Sequence, residues 1–363
     1  MMWIIIFLLM LVFGIAGIFY LITRFRKFSF IKKISAKNKL LSWIIAALPL
    51  GLSCGFLYYG IFAMLVVWLH LAFFMLICDF FSIIISKIHR KKSEKYFAGV
   101  IAIILTVGWL SYGWYCAHNI VCTKYQLTTQ KSLGQDSLRI ALIADSHLGV
   151  TLDGNKFTEQ IKRIEKEKPD LLVVAGDFVD DGSKKEDMVK ACKAFNDIKT
   201  TYGVYFSFGN HDEGYSHYRD FSFDELESEL IKNNVTILND ESLLINDSFY
   251  IIGRKDHGEE KRKSMSELIA DLDKNKYTIV IDHQPNSFEE ETDSKVDLVL
   301  SGHTHGGHIF PAGQIGMMIG ANDMLYGNIS ECNTDFVVTS GISGWEIPFK
   351  TLAVSEYVII DIK

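Results

Sequence analysis

Apolar positions fall in long unbroken blocks over the first third of the chain and in short punctuated runs thereafter. Residues 3–22 carry no charged side chain, residues 40–85 carry only one, and residues 97–117 form a further block. A bilayer span needs ~20 mostly apolar residues. The blocks therefore predict transmembrane helices at about 3–22, 40–58, 61–85 and 97–117. The run 40–85 is too long for one helix and divides near Tyr58-Tyr59-Gly60. One long tilted helix with a re-entrant piece is the alternative reading of that run. The first block has no basic residues before it and several after it, which favours a retained helix over a cleaved signal peptide.

Beyond residue 138 the pattern changes. Short apolar runs at 139–144, 171–175, 204–208, 249–253, 278–281, 296–300, 336–339 and 357–360 read as strands, mostly buried. Amphipathic stretches at 156–168, 184–199, 223–233 and 263–274 read as helices, the first stopping before Pro169. Strands alternating with helices predict a layered α/β domain. The expected division is a helical membrane region over 1–118, a polar and weakly patterned connector over 119–137, and a catalytic domain over 138–363.

Charge sharpens this division. Residues 1–118 hold 12 Lys/Arg against two acids, Asp79 and Glu94; residues 119–363 hold 25 against 41. The acidic half argues against nucleic acid as a partner, since that needs basic patches. The basic residues of the first half concentrate in loops 23–39 and 86–96, the latter including Lys91 and Lys92. Basic loops stay cytoplasmic. Four crossings then put the amino terminus and the catalytic domain outside the cytoplasm, in a multi-pass protein of the cell membrane. Asp79 and His70 fall within the third predicted span; Asp79, near its end, suits an interfacial position as well as a functional one. The six cysteines show no paired spacing.

Candidate chemistry sits just after the apolar runs. Asp145-Ser-His147, Gly176-Asp177-Phe-Val-Asp180, Gly209-Asn210-His211-Asp212, His283 and Gly302-His303-Thr-His305 follow five of them. In open α/β sheets ligands gather at the carboxyl ends of strands. Residues i and i+2 of an extended segment share a face, so Asp145 and His147 can grip one ion. Two aspartates, an asparagine and four histidines converging on one rim can hold two divalent ions with a hydroxide between them, a centre that hydrolyses phosphate esters.

These motifs, in this order, resemble the calcineurin-like metallophosphoesterase family over about residues 138–363. The run Gly302-His-Thr-His-Gly-Gly307 and the segment Ser340–Pro348 resemble its membrane-associated bacterial branch. In that branch glutamine commonly follows the Gly-Gly; here the residue is His308, leaving packing or substrate contact as its role. The resemblance implies an αββα sandwich of two packed mixed sheets. It implies that Asp145, His147 and His305 bind one metal, that Asn210, His283 and His303 bind the second, and that Asp177 bridges them. Mn²⁺ is favoured by the resemblance alone; Fe or Zn²⁺ also suits these donors. Asp180 and Asp212 would orient ligands through hydrogen bonds. His211, beside a ligand but assigned no ion, is the candidate to donate a proton to the leaving oxygen.

The expected enzyme is a membrane-bound phosphoesterase cleaving a phosphate ester or pyrophosphate of a lipid or lipid-linked substrate. The alternatives are a phosphodiesterase or phosphatase that acts on soluble phosphorylated molecules and is merely tethered, and a non-catalytic sensor of phosphorylated ligands.

Overall fold

The structure is a computed structural model. It describes residues 2–90, 93–214 and 219–363, with residues 2–13 given by their helical backbone alone. Lys91 and Lys92 of the second basic loop, and the side chains at the start of the first expected span, lie outside the described residues. The chain divides into two compact units, Met1–Tyr112 and Gly113–Lys363.

The first unit is helical: α1 (Met2–Phe25), α2 (Ser29–Lys37), α3 (Lys39–Ser53), α4 (Ile61–Ile88) and most of α5 (Phe97–His118). A 3₁₀ turn, Cys54–Tyr59, prolongs α3. Lys39–Tyr59, Ile61–Ile88 and Phe97–His118 are each long and apolar enough to cross a membrane, whereas the described part of α1, Gly14–Phe25, is shorter. The long apolar run breaks at Gly60, whose φ of 99° is a left-handed value that glycine adopts without strain. Helix α2 was not expected within the first basic loop; it buries only Ile31. Asp79 lies 2.8 Å from Arg24 and 3.0 Å from Lys27, so it pairs with that loop's cations.

The second unit has four layers. One sheet runs β1 (Val121–Leu127), β12 (Glu356–Ile362), β2 (Leu138–Ile143), β3 (Leu171–Ala175), β4 (Val204–Ser207), β5 (Val235–Ile237). The other runs β10 (Gly327–Glu331), β11 (Thr334–Val338), β9 (Leu298–Ser301), β8 (Tyr277–Ile281), β7 (Phe249–Gly253), β6 (Glu241–Ile245). Both are mixed: β2 to β5 run parallel with β12 antiparallel to β2, and β7, β8, β9 and β11 run parallel with antiparallel edges β6 and β10. Between the sheets Ile140, Leu142 and Val173 meet Ile251, Ile279 and Leu300. On the outer face of the first sheet Ile143 and Val174 pack with α6 (Gly154–Lys166), α7 (Lys185–Asp197) and α8 (Phe223–Lys232). On that of the second, Val280 and Val299 pack with α9 (Met265–Leu268) and α10 (Phe288–Asp293). A short helix α11 (Ala312–Met318) follows the last histidine motif.

Two expectations need correction. The helix expected over 263–274 is only the four-residue α9. Its Ser264–Glu267 capping box starts it, but the charged stretch after Ile269 lacks the apolar repeat to continue it. The connector 119–137 is not featureless either: β1 pairs in parallel with β12 along the sheet edge.

Candidate metal centre

Strands β2, β3, β4, β8 and β9 end side by side, and each delivers its motif in the next few residues. The backbone there is unusual. Asp145, His147, Asp177, His303 and His305 have φ of 55°, 35°, 52°, 70° and 49°. Left-handed backbone at non-glycine residues costs about 1–3 kcal/mol each and persists only where surroundings over-determine it. Asp145 and His147 thus converge through left-handed turns rather than along the extended segment expected.

The surroundings are interlocked loops. Asp145 N donates to Gly176 O at 3.0 Å, His147 N to Asp177 O at 3.1 Å, and Gly302 N to His283 O at 3.0 Å. Asp212 accepts from the backbone N–H groups of Asp177, Phe178, Val179 and Gly209 at 2.8–3.1 Å. Burial and the nearby Asp177 charge push Asp212 up to about 6, against the pull of its backbone donors. Asp212 therefore fixes the loops through their backbone N–H groups. Gly176 has φ 76°, and a Cβ there would stand 2.6 Å from Gly209 N and 2.7 Å from His283 Nδ1.

Side chains gather into three groups, the first buried and the other two buried but for His303 and His211, each with its ligand atoms within 4.8 Å of one another: Asp145, His147 and His305; Asp177, His283 and His303; His147, Asp180 and His211. Asn210 joins the second through Oδ1, 3.0 Å from His303 Nδ1. Asp177 lies between the first two groups: its Oδ2 is 3.1 Å from His283 Nε2 and 3.6 Å from His147 Nε2. All ten residues singled out by sequence other than His308 thus lie in these groups or in the Asp212 clamp. The ring of His308 packs 5.1 Å from that of His305, and burial pushes it down to about 3.

Whether cations suit these residues can be read from proton bookkeeping. His283 Nδ1 faces Ala175 O at 2.7 Å and must donate, since a carbonyl only accepts. His305 Nδ1 faces Ser343 O at 3.3 Å, and His147 Nδ1 faces Asp180 Oδ2 at 3.2 Å. With the proton on Nδ1, the nitrogen nearest these acceptors, each Nε2 is a lone pair. The Nε2 atoms of His147 and His305 then face each other at 3.2 Å. Two lone pairs directed at each other, beside a carboxylate that is fully buried, are repulsive without a cation. Electrostatics agree. Burial opposes charge on His283, yet Asp177 holds its pKa well above the ordinary value, so a proton there supplies positive charge. Burial raises Asp145 to about 6, with His283 opposing. Burial would also raise Asp177, but the His283 charge and hydrogen bond hold it below the usual range. The donor set fits a pair of divalent ions.

Residues 138–307 match the family model described as calcineurin-like phosphoesterase. An uncharacterised metallophosphoesterase of Aquifex aeolicus is 30% identical over 255 residues, covering 66% of this chain and 90% of that one. The chain belongs to the calcineurin-like metallophosphoesterases. An uncharacterised metallophosphoesterase of Campylobacter jejuni is 27% identical over 380 residues, covering 98% of this chain and 97% of its own. A bovine relative named as a transmembrane protein with a metallophosphoesterase domain is 27% identical, covering 59% of this chain and 50% of its own. This metallophosphoesterase is therefore a metal-dependent phosphoric ester hydrolase from a family with a dinuclear centre, and the three long apolar helices among its described residues associate it with a membrane.

Sequence reasoning missed the supports of this metallophosphoesterase's centre. The Lys350 ammonium is buried and donates to Ser340 O; burial pushes it down to about 8. The buried Glu356 carboxylate accepts from Thr339 Oγ1 and Ser340 N, each at 3.0 Å. Together they brace the loop that carries Ser343 to His305. Trp345 packs against His211, ring centres 5.3 Å apart. The only signal for Lys350 and Glu356 was their place shortly after the segment Ser340–Pro348; Trp345 was not missed, since it lies within that segment.

Proposed function

We propose that this metallophosphoesterase cleaves a phosphate ester or pyrophosphate bond of a lipid or lipid-linked substrate at a membrane, using two Mn²⁺ ions. In this reading Asp145, His147 and His305 hold one ion, Asn210, His283 and His303 the other, and Asp177 offers an oxygen to each. The paired Nε2 atoms of His147 and His305, 3.2 Å apart beside two buried aspartates, are the observation that carries it. When bound, such a pair supplies a nucleophile at neutral pH and neutralises charge on the phosphoryl oxygens.

The chain's own residues do the rest. His211 Nδ1 lies 3.3 Å from Asp180 Oδ1. Burial works against the imidazolium, but the Asp180 hydrogen bond raises its pKa above the ordinary value. Nδ1 is thus committed to Asp180, and Nε2 is left to give its proton to the leaving oxygen. Asp180, held below the usual range by its hydrogen bonds from His147 and His211 despite burial, remains an acceptor throughout. Asp212 keeps the Asp177 and Gly209 loops in register, and His308 packs behind His305. The domain 138–363 acts outside the cytoplasm, carried by four spans in the cell membrane.

The test is a substrate panel on the full chain in liposomes with Mn²⁺, covering bis-p-nitrophenyl phosphate, monoesters and lipid pyrophosphates. Faster turnover of the lipid substrates supports the reading. Equal rates on lipid and water-soluble substrates would leave a tethered phosphoesterase of soluble molecules. Protease protection of the domain in intact cells would reverse the orientation.

A further inference from the structure

Helix α11 buries none of its side chains. Ile315, Met318 and Ile319 are 51%, 85% and 74% exposed, and no charged residue occurs from Ile309 to Asn322. A contiguous apolar surface of this kind marks an interaction site.

Its attachment says with what. At the base of the segment, His308 O accepts from Thr351 N at 2.8 Å, and Phe310 N donates to Thr351 Oγ1 at 2.9 Å. The preceding residue, Lys350, donates its N–H to Gly113 O at 2.9 Å, and Ser355 N donates to Cys116 O at 2.9 Å. The loop that holds the base of α11 is therefore bonded to the last turns of α5, an apolar span. Those turns are aromatic. Trp114 stacks on His118 and meets Phe349 edge-on, and Tyr115 is exposed. Trp and Tyr at the end of a span sit at headgroup level. Thr351 thus ties the base of the apolar segment to the level at which the span leaves the hydrocarbon, and Leu352 beside it is also exposed.

We propose that the α11 segment is a membrane-docking element whose Ile315, Met318 and Ile319 enter the headgroup–acyl boundary of the leaflet from which α5 emerges. Apolar faces of interfacial helices bury about 5–10 Å into that boundary. The segment follows directly on the His303–His308 motif, so a phosphate borne on a lipid reaches His305 at the bilayer surface. The proposal rests on the reading of α5 as a span and deepens the lipid-substrate reading.

Depth-dependent fluorescence quenching of the full chain tests it, in phosphatidylcholine–phosphatidylglycerol vesicles carrying both a shallow and a deep nitroxide lipid. A fluorophore is placed at Met318→Cys in a Cys332→Ser background, at Ile104→Cys in the same background as a label within α5, and at the native, exposed Cys332 as a label in the β10–β11 turn. The unmodified Cys332→Ser background is labelled in parallel and subtracted. The expected result is lipid quenching at 318 several-fold above that at Cys332 and comparable with that at 104. Quenching at 318 no greater than at Cys332, with 104 quenched, would overturn the docking element and leave the span intact. Failure at 104 as well would overturn the span and the inference with it. Shielding of 318 from aqueous iodide without lipid quenching would assign the face to a second copy instead and overturn the proposal.

Discussion

Asp180 Oδ1 stands 3.3 Å from His211 Nδ1, while its other oxygen stands 3.2 Å from His147 Nδ1. One carboxylate therefore orients a residue of the metal cluster and the residue assigned as acid. His211→Ala should lower kcat by about 10²–10⁴, the range for loss of a general acid, with two metals still present by elemental analysis. Loss of metal in that variant would reassign His211 as a ligand.

The same pair sets a pH dependence. His211 acts protonated, and Asp180 raises its pKa, so activity should fall as pH rises through that raised value. Asp180→Asn removes the charge holding the proton and should move the descending limb of the kcat profile to lower pH. An unmoved limb would mean that another group titrates there.

Asp212 accepts four backbone hydrogen bonds in a fully buried position. Asp212→Ala leaves those donors unmatched, at about 1–3 kcal/mol for each donor that stays buried and unpaired. The melting temperature of the detergent-solubilised chain should fall markedly, together with Mn²⁺ affinity. A variant as stable as the parent would show that water takes over all four.

Gly176 holds φ 76° with no room for a Cβ. Gly176→Ala meets the left-handed penalty of roughly 1–2 kcal/mol and a collision with His283 Nδ1. It should lose the His283, His303 and Asn210 ion first, read as half the metal content of the parent.

The legible parts of the sequence follow from burial. Strands β2, β3, β4, β7, β8, β9, β11 and β12 lie inside the sheets or next to their edges, and their apolar runs stood out because both faces are covered. The strands missed were β1, β5, β6 and β10, which are the four sheet edges. An edge strand keeps polar and exposed positions, as the fully exposed face of β10 does, and so reads as loop. The motifs of the candidate metal site were legible because chemistry dictates residue type, and the fold brings them together: nothing in packing asks for Gly-His-Thr-His. Lys350 and Glu356 were not, since an isolated lysine or glutamate in sequence gives no sign that the fold will bury it. Helix α11 escaped because its apolar residues serve no core.

The central claim is that the buried histidines and aspartates hold two cations. Metal content and thermal unfolding, measured together on the full chain, test it most directly. Chelation should strip the chain and lower its melting temperature, because the buried Asp145 and Asp177 then keep only the His283 proton as countercharge. Mn²⁺ should return about two ions per chain and restore stability, by about 2.7 kcal/mol per site at a hundredfold excess over Kd, along with hydrolysis of bis-p-nitrophenyl phosphate. A chain that binds one ion or none, and whose melting temperature ignores both chelator and Mn²⁺, would contradict the account.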